Sequence, residues 1–247
     1  MQVSIITPVL NGRVTIEDTI KSVLGQSHKE VEYIVIDGGS RDGTVEIVKS
    51  YGNRITKFIS ESDKGIYDAM NKGIKLASGE IIGILNSDDI YARDSVVEIV
   101  AKAMTEKRVD ACYSDLVYVD RINADRIVRY WKSCEYREGL FKKGWMPPHP
   151  TFFAKRCVYE KYGYFDLSLP IALDYEILFR FMEKSKIKTC YIPEAMIRMR
   201  SGGFSNKNIL NVIKQNIMIM KILRENKISV SPLFFYSKIT EKLKQFR

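Results

Sequence analysis

The sequence predicts an α/β protein with a doubly wound, mostly parallel central sheet, a smaller antiparallel portion after it, and a C-terminal helical tail. Three observations carry this. Nearly all-apolar runs at Val3–Thr7, Val31–Ile36 and within Glu80–Asp89, with a further strand at Ile55–Ser60, alternate with segments of helical spacing, the pattern of successive βα units. The runs show little alternation, as expected of strands covered on both faces. Polar groups gather where the runs end, at Pro8–Asn11, Asp37, Asp63-Lys64 and Asp88-Asp89. That is the edge at which open α/β sheets bind ligands.

In chain order, the first strand closes at Pro8, and Asn11-Gly12 turns into a helix whose Ile16, Ile20, Val23 and Leu24 repeat at helical spacing. Thr15 and Asp18 read as a capping box at its start. The second strand runs into Asp37-Gly38-Gly39-Ser40-Arg41-Asp42-Gly43, and a helix follows over Thr44–Ser50. The third strand leads through Glu61–Gly65 to a helix over about Ile66–Ala77. The run from Glu80 then ends in the adjacent carboxylates Asp88 and Asp89. Two carboxylates on such an edge suit a hard divalent cation that also binds substrate phosphates; a helix start is the competing reading, although Asp94 and Ser95 already provide one. From Val109 the pattern changes, with Tyr113–Val119 and Arg126–Trp131 reading as antiparallel strands.

With 247 residues, 45% of them hydrophobic, the chain is long enough to bury a large core. No basic and apolar leader opens it and no apolar run approaches a membrane span, which predicts a cytoplasmic protein. Cys112, Cys134, Cys157 and Cys190 lack metal-site spacing and read as reduced, mostly buried thiols. The net charge is +9, and nine Lys and Arg against two Glu lie from Ser205 onward. Basicity confined to a tail argues against nucleic acid as a partner, because a nucleic-acid-binding face belongs to the folded module. Neither G-x-G-x-x-G nor a P-loop follows the first strand.

Thr7–Asn11, Asp37 with Gly38–Thr44, and Asn86-Ser87-Asp88-Asp89 together resemble the inverting family 2 glycosyltransferases of GT-A fold. Asp63–Gly73, Pro148–Phe153, Tyr164-Phe165-Asp166 and Leu173–Glu176 resemble the branch that builds colanic-acid-type, capsular and O-antigen polysaccharides. The resemblance implies a nucleotide-sugar donor, a UDP-sugar in most members, a glycan or lipid-linked glycan acceptor, and Mn²⁺ or Mg²⁺. It implies that Asp37 contacts the base, Asp88 the ribose, Asp89 the metal on the diphosphate, and that Asp174 is the catalytic base. Pro8 and Leu10 would line the nucleoside pocket, with Asp68 and Asn71 as a polar wall unless they serve helix capping and solvation. It divides the chain into a donor-binding part at 1–108, an acceptor and base part at 109–204, and a tail at 205–247.

Two departures stand out: Asn86 replaces the first carboxylate of the common D-x-D, and Met70 replaces an arginine near the diphosphate. Lys64 or Lys72 would then have to supply that charge. His149 is open between acceptor contact, metal ligation and a satisfied loop histidine, and Trp145 between stacking on a sugar and covering the core edge. A nucleotidyltransferase is the enzyme alternative, disfavoured because Thr7–Gly12 is not a Gly-rich basic loop. A non-catalytic glycan-binding protein is the other, disfavoured by the company of Asp37, Asp88, Asp89 and Asp174.

In the tail, Ile209, Ile213, Ile217 and Met220 are expected to share one helix face. After Ser231-Pro232 a second helix would stripe Phe235, Ile239, Leu243 and Phe246 opposite Lys238, Lys242 and Lys244. Such a helix suits an anionic membrane interface, or packing on the protein's own core.

Overall fold

The structure, a computed structural model, describes residues 1–202, 209–229 and 234. Four parallel strands form its first half: β1 (Val3–Val9), β2 (Val31–Asp37), β3 (Lys57–Ser60) and β4 (Ile81–Ile84). Between them lie α1 (Ile16–Leu24), α2 (Thr44–Ser50) and α3 (Ile66–Leu76). Then follow β5 (Asp89–Tyr91), α4 (Val96–Lys107), β6 (Ala111–Val119), β7 (Ile127–Trp131), β8 (Phe153–Lys155), α5 (Arg156–Tyr162), α6 (Leu173–Phe179), β9 (Thr189–Arg200) and α7 (Ile209–Glu225). All described strands join one sheet in the order β3-β2-β1-β4-β8-β6-β9-β5, with β7 paired to β6.

β1, β2 and β4 are mostly apolar and buried because the sheet is covered on both faces there. Ile6, Ile34, Ile36, Ile82 and Ile84 pack with residues of α3, α5, α6 and α7 on one face. Val3, Ile5, Tyr33, Val35 and Ile81 pack with α1, α2 and α4 on the other. Burying a side chain of this size contributes about 1.5–3 kcal/mol, so successive residues of one strand stabilise both layers. Gly73 lets α3 approach the sheet, since a Cβ there would lie 2.3 Å from Ile6 Cγ2.

The α/β class agrees with expectation, and β6 pairs β7 and β8 antiparallel as expected after Val109, although it also pairs β9 in parallel, so the sheet is mixed. Several details differ. The strand expected through to the acidic pair stops at Ile84, and Asp89 opens β5, which runs antiparallel to β9 with Asp89 opposite Met199. One sheet runs through the parts drawn at 1–108 and 109–204, because β8 pairs β4 directly. The capping box at Thr15 and Asp18 is not formed; Asp18 Oδ2 instead accepts a 2.6 Å bond from the Arg200 guanidinium. Cys112 and Cys190 are buried, but Cys134 and Cys157 are exposed.

The face expected of the first tail helix is also revised. Ile219, Ile222 and Leu223 are the buried residues of α7, and Met220 packs partly against them, while Ile213 and Ile217 are 46% and 54% exposed. The register missed because Ile and Met occupy both sides of this helix, so spacing alone admits two stripes. The second helix, with Phe235, Ile239, Leu243 and Phe246, lies outside the described residues. No helix among the described residues is long and apolar enough to cross a membrane.

Candidate active site

The parallel strands bring their carboxyl ends to one edge, and the first polar residue beyond the core occupies it. Asp37 ends β2 and is fully buried. Its Oδ2 accepts the Gly39 and Ser40 amides at 3.1 and 3.0 Å and the Ser60 hydroxyl at 2.7 Å. Ser60 reaches it because the two residues are register partners in the β2–β3 ladder. Oδ1 has no partner. One carboxylate oxygen therefore shapes the turn and the other is left bare.

The turn it shapes is stitched to the loop after β1. Asn11, at φ 51°, donates its amide to Ser40 Oγ at 2.7 Å and accepts Arg41 N–H at 3.0 Å. Gly12 N–H reaches Thr44 Oγ1 at 2.9 Å, and Arg13 N–H reaches Asp42 at 3.0 Å. Pro8 is buried within β1, whereas Leu10 stands 57% exposed at the mouth of this loop pair. Gly38 leaves room for Asp63 to close in, since a Cβ there would lie 2.5 Å from the Asp63 carboxylate.

On the far side of β1, Leu85–Asp88 joins β4 to β5. Asp89 is fully buried; its Oδ2 accepts the Asn86 side-chain amide at 3.1 Å, and its Oδ1 has no partner. Asn86 Oδ1 is likewise buried and bare. Burial and the neighbouring Asp88 charge push the Asp89 carboxyl well up, against the opposing effects of Asn86 and Arg200. Burial also raises Asp88, with Arg200 and Arg121 opposing it. Such a pair is stabilised in its charged form by a cation. Among the described residues no three His, Cys, Asp or Glu side chains converge into a closed metal cage. The pair instead fits Mg²⁺ or Mn²⁺ shared with a diphosphate, which needs only one or two carboxylates from the protein.

Arg200 is the site residue that the motifs did not reveal. It is buried at the end of β9, bonds the Asp88 carbonyl at 3.3 Å and the Asp18 carboxylate at 2.6 Å, and thereby ties α1 and the acidic loop to the last strand. A signal existed: Arg198 and Arg200 alternate with Met199 at strand period, just before Ser201-Gly202.

Asp174 lies in the first turn of α6, half-buried, with the Tyr175 amide on its Oδ1 at 2.9 Å. The ring of His149 packs 5.6 Å from that of Phe165, and burial lowers its pKa while the nearby Asp174 charge opposes this. Glu176, two residues beyond Asp174, is committed to Arg180 by bonds of 2.8 and 2.9 Å. Trp145 stacks on Tyr136 and meets Phe141 and Tyr113 edge-on, covering the core edge.

The polar wall expected on α3 is revised. Both amide atoms of Asn71 are taken by the Phe165 main chain, at 2.9 and 3.0 Å, so it is a clamp between segments. Asp68 accepts the N–H of Lys64, just ahead of its helix, at 3.0 Å and lies 3.7 Å from Lys72, which also pairs with Glu61 at 2.8 Å. Met70 is buried in the core rather than turned to the edge.

The sequence matches the family described as Glycosyl transferase family 2 over residues 4–163, and the chain belongs to that family. It is an enzyme, a glycosyltransferase of GT-A fold. A PGL/p-HBAD biosynthesis glycosyltransferase of Mycobacterium bovis is 27% identical over 208 residues, 82% of this chain and 78% of the relative. An uncharacterized glycosyltransferase of Rickettsia typhi is 32% identical over 207 residues, 80% of this chain and 63% of its own. Among solved structures, S. aureus TarS 1-349 in complex with UDP matches with a TM-score of 0.68 at 17% identity, over 96% of this chain and 68% of that one. A mannosyltransferase from Pyrobaculum calidifontis in complex with GDP-Man and Mn²⁺ matches with a TM-score of 0.66 at 16% identity, over 97% and 69%. The chain spans 40% of the longer TarS structure.

Proposed function

We propose that this glycosyltransferase moves a sugar, with inversion, from a UDP-sugar to a glycan or lipid-linked glycan in bacterial surface polysaccharide synthesis. The observation that carries the reading is the set of bare, buried oxygens on one sheet edge: Asp37 Oδ1, Asn86 Oδ1 and Asp89 Oδ1. A buried acceptor without a donor costs about 1–3 kcal/mol, and more when it is charged, so the edge awaits donors and positive charge. Asp37 receives the N–H of the base, Pro8 and Leu10 flank the nucleoside, Asp88 receives the ribose, and Asp89 holds Mg²⁺ or Mn²⁺ at the diphosphate. When bound, that ion neutralises charge on the departing diphosphate.

Asp174 takes the proton of the acceptor hydroxyl as its oxygen attacks the anomeric carbon. The bond from that carbon to the diphosphate breaks on the opposite face, and the nucleoside diphosphate leaves with the electron pair. Such base assistance contributes about 10²–10⁴-fold. Residues 1–108 bind donor, and 109–204 hold acceptor and base. The ligands of the structural neighbours support a nucleotide-sugar donor: TarS is solved with UDP and with UDP-GlcNAc, and the Pyrobaculum enzyme with GDP-Man and Mn²⁺. A lipid-linked acceptor accords with the exposed Ile213 and Ile217 of α7, which offer a peripheral membrane contact.

The test is nucleotide release from a panel of UDP-, GDP- and dTDP-sugars, with UDP calorimetry in the presence and absence of Mn²⁺. Release from UDP-sugars is expected, lost in Asp174→Asn while UDP affinity is kept. Preference for GDP- or dTDP-sugars would overturn the donor class. UDP binding with no release from any sugar nucleotide would favour a binding protein. Turnover retained by Asp174→Asn would remove the base assignment.

A further inference from the structure

Among the described residues, the Asp174 carboxylate bonds only the next amide along, the Tyr175 N–H at 2.9 Å. The helix itself therefore aims it, and whatever fixes α6 fixes the direction of the carboxylate. Buried Leu173, Tyr175, Ile177 and Leu178 seat α6 in the core. Polar bonds hold it as well, through a short segment, residues 162–166, that follows α5.

On the α6 side the holding group is Arg180, which closes that helix. Its guanidinium forks onto the Glu176 carboxylate, one turn back, at 2.8 and 2.9 Å. The same group donates to the Tyr164 carbonyl at 2.6 Å and to the Tyr162 carbonyl. A rigid fork of five donors can serve a carboxylate and two carbonyls at once, a geometry that a lysine ammonium does not reproduce. Gly163 makes room for it: at φ 92° it turns the chain out of α5, and a Cβ there would lie 3.0 Å from Arg180 Nη1.

On the other side stands α3, from the donor half of the chain. Asn71, buried in the middle of that helix, donates Nδ2–H to the Phe165 carbonyl at 2.9 Å and accepts the Phe165 N–H on Oδ1 at 3.0 Å. It pairs with the segment as a neighbouring strand would. Asn is a poor helix former, and this tertiary pairing accounts for its place inside α3. The rings of Tyr67 and His149, 5.2 and 5.6 Å from that of Phe165, pack the same residue. Helix α3 is itself fixed at the donor edge, where Asp63 accepts the Gly65 N–H at 2.8 Å and closes over Gly38 in the Asp37 turn.

We propose that Asn71 and Arg180 are positioning residues for the catalytic base: gripping one segment from opposite sides, they fix α6, and with it Asp174, to the helix that starts at the donor edge. The inference rests on the reading of Asp174 as the base.

The experiment compares Asn71→Ala, Arg180→Lys, the double variant and Asp174→Asn. Readouts are kcat and donor KM from nucleotide release with the most active UDP-sugar of the panel, UDP affinity by calorimetry, and amide hydrogen exchange over residues 162–179. Each single variant is expected to lower kcat about tenfold, short of the 10²-fold that a 1 Å misplacement can cost, with donor KM and UDP affinity unchanged. Exchange should quicken at least about threefold beyond the altered contact, in the first turn of α6 for Asn71→Ala and at the Phe165 amide for Arg180→Lys. The double variant should lose no more than the slower single variant, because both act through one segment.

Unchanged kcat in either single variant, with Asp174→Asn inactive, overturns the positioning role and leaves the base in place. A fall in UDP affinity alongside kcat also overturns it, by tracing the loss to the donor site, as does a double variant whose losses multiply. Should Asn71→Ala fail to fold, Arg180→Lys decides by the same split of kcat from KM. Turnover retained by Asp174→Asn removes the base reading and this inference with it.

Discussion

The two ends of β2 carry two buried carboxylates that have opposite fates. Glu32, near the start of the strand, accepts Lys57 at 2.7 Å, Ser78 N–H at 2.7 Å, the Ser78 hydroxyl at 2.8 Å, and the Ser4 hydroxyl of its register partner. Every direction around it is filled from within the protein. Asp37, five residues on at the carboxyl end, is just as deeply buried but keeps one oxygen bare, as does Asp89 across β1. Burial alone therefore does not separate structural from functional acids. The unfilled acceptor singles out Asp37 and Asp89 as the candidates, because a buried oxygen without a protein donor is a cost that a ligand, an ion or a bound water relieves.

Asp89→Ala is the largest expected break in that comparison. It removes the buried acid of the pair, and sugar transfer should fall by at least about 10²–10³-fold, the scale of losing a preorganised electrostatic contact to developing charge. Thermal stability should hold or rise, since a like-charge neighbour of Asp88 is gone. Full activity, or full Mn²⁺-dependent UDP affinity by calorimetry, would sink the metal assignment.

At the other end of the strand, Glu32→Ala strips acceptors from Ser4, Ser78 and Lys57. We expect a loss of about 2–3 kcal/mol in urea unfolding, discounted because Lys57 is partly solvated. Activity per folded molecule should be unchanged. The acid limb of the stability curve sharpens the point. Burial raises the Glu32 pKa, but Lys57, Ser4 and Ser78 more than offset this and hold it at about 2, below its ordinary 4.5. A depressed acid stabilises the fold fully above pH 4.5 and loses that contribution as pH falls toward 2. Glu32→Gln should flatten that part of the curve; an unchanged acid limb would mean that Glu32 is not a structural hub.

Asp37→Asn is subtler, because the amide oxygen can still bond Gly39 and Ser40 while the charge at the bare position is lost. UDP affinity should fall about tenfold, or ~1.4 kcal/mol, with little change in Tm. A large Tm loss with intact UDP binding would reassign Asp37 to turn structure.

The donor half was legible because its signals are local. Apolar runs, turn glycines and terminal acids mark β1 to β4 and place Asp37, Asp88 and Asp89 on one edge without any knowledge of pairing. What escaped depends on contacts between distant segments. Asp18 scans as a cap but is taken by Arg200, 182 residues away. Asn71 scans as a polar wall but is spent on Phe165, 94 residues away. In both cases the side chain is taken by a tertiary hydrogen bond that also satisfies a buried partner. The antiparallel entry of β5 escaped because three residues are too few to show a period.

The smallest expected effect concerns the exposed face of α7, where the same logic of filled and unfilled contacts applies to apolar groups. Ile219, Ile222 and Leu223 are buried against the core, so Leu223→Ala should cost about 2–4 kcal/mol. Ile213 and Ile217 meet solvent beside the exposed Lys214, Lys221 and Arg224. Replacing both isoleucines with Ser should move stability by no more than about 0.5 kcal/mol. If the helix touches an anionic bilayer, the double variant should also reduce co-sedimentation with phosphatidylserine-containing vesicles. Two buried isoleucine side chains contribute a few kcal/mol there, and each nearby basic residue ~1 kcal/mol. Equal sedimentation of both proteins would exclude these two side chains as the membrane contact. Stability lost along with sedimentation would instead show that this face packs on protein.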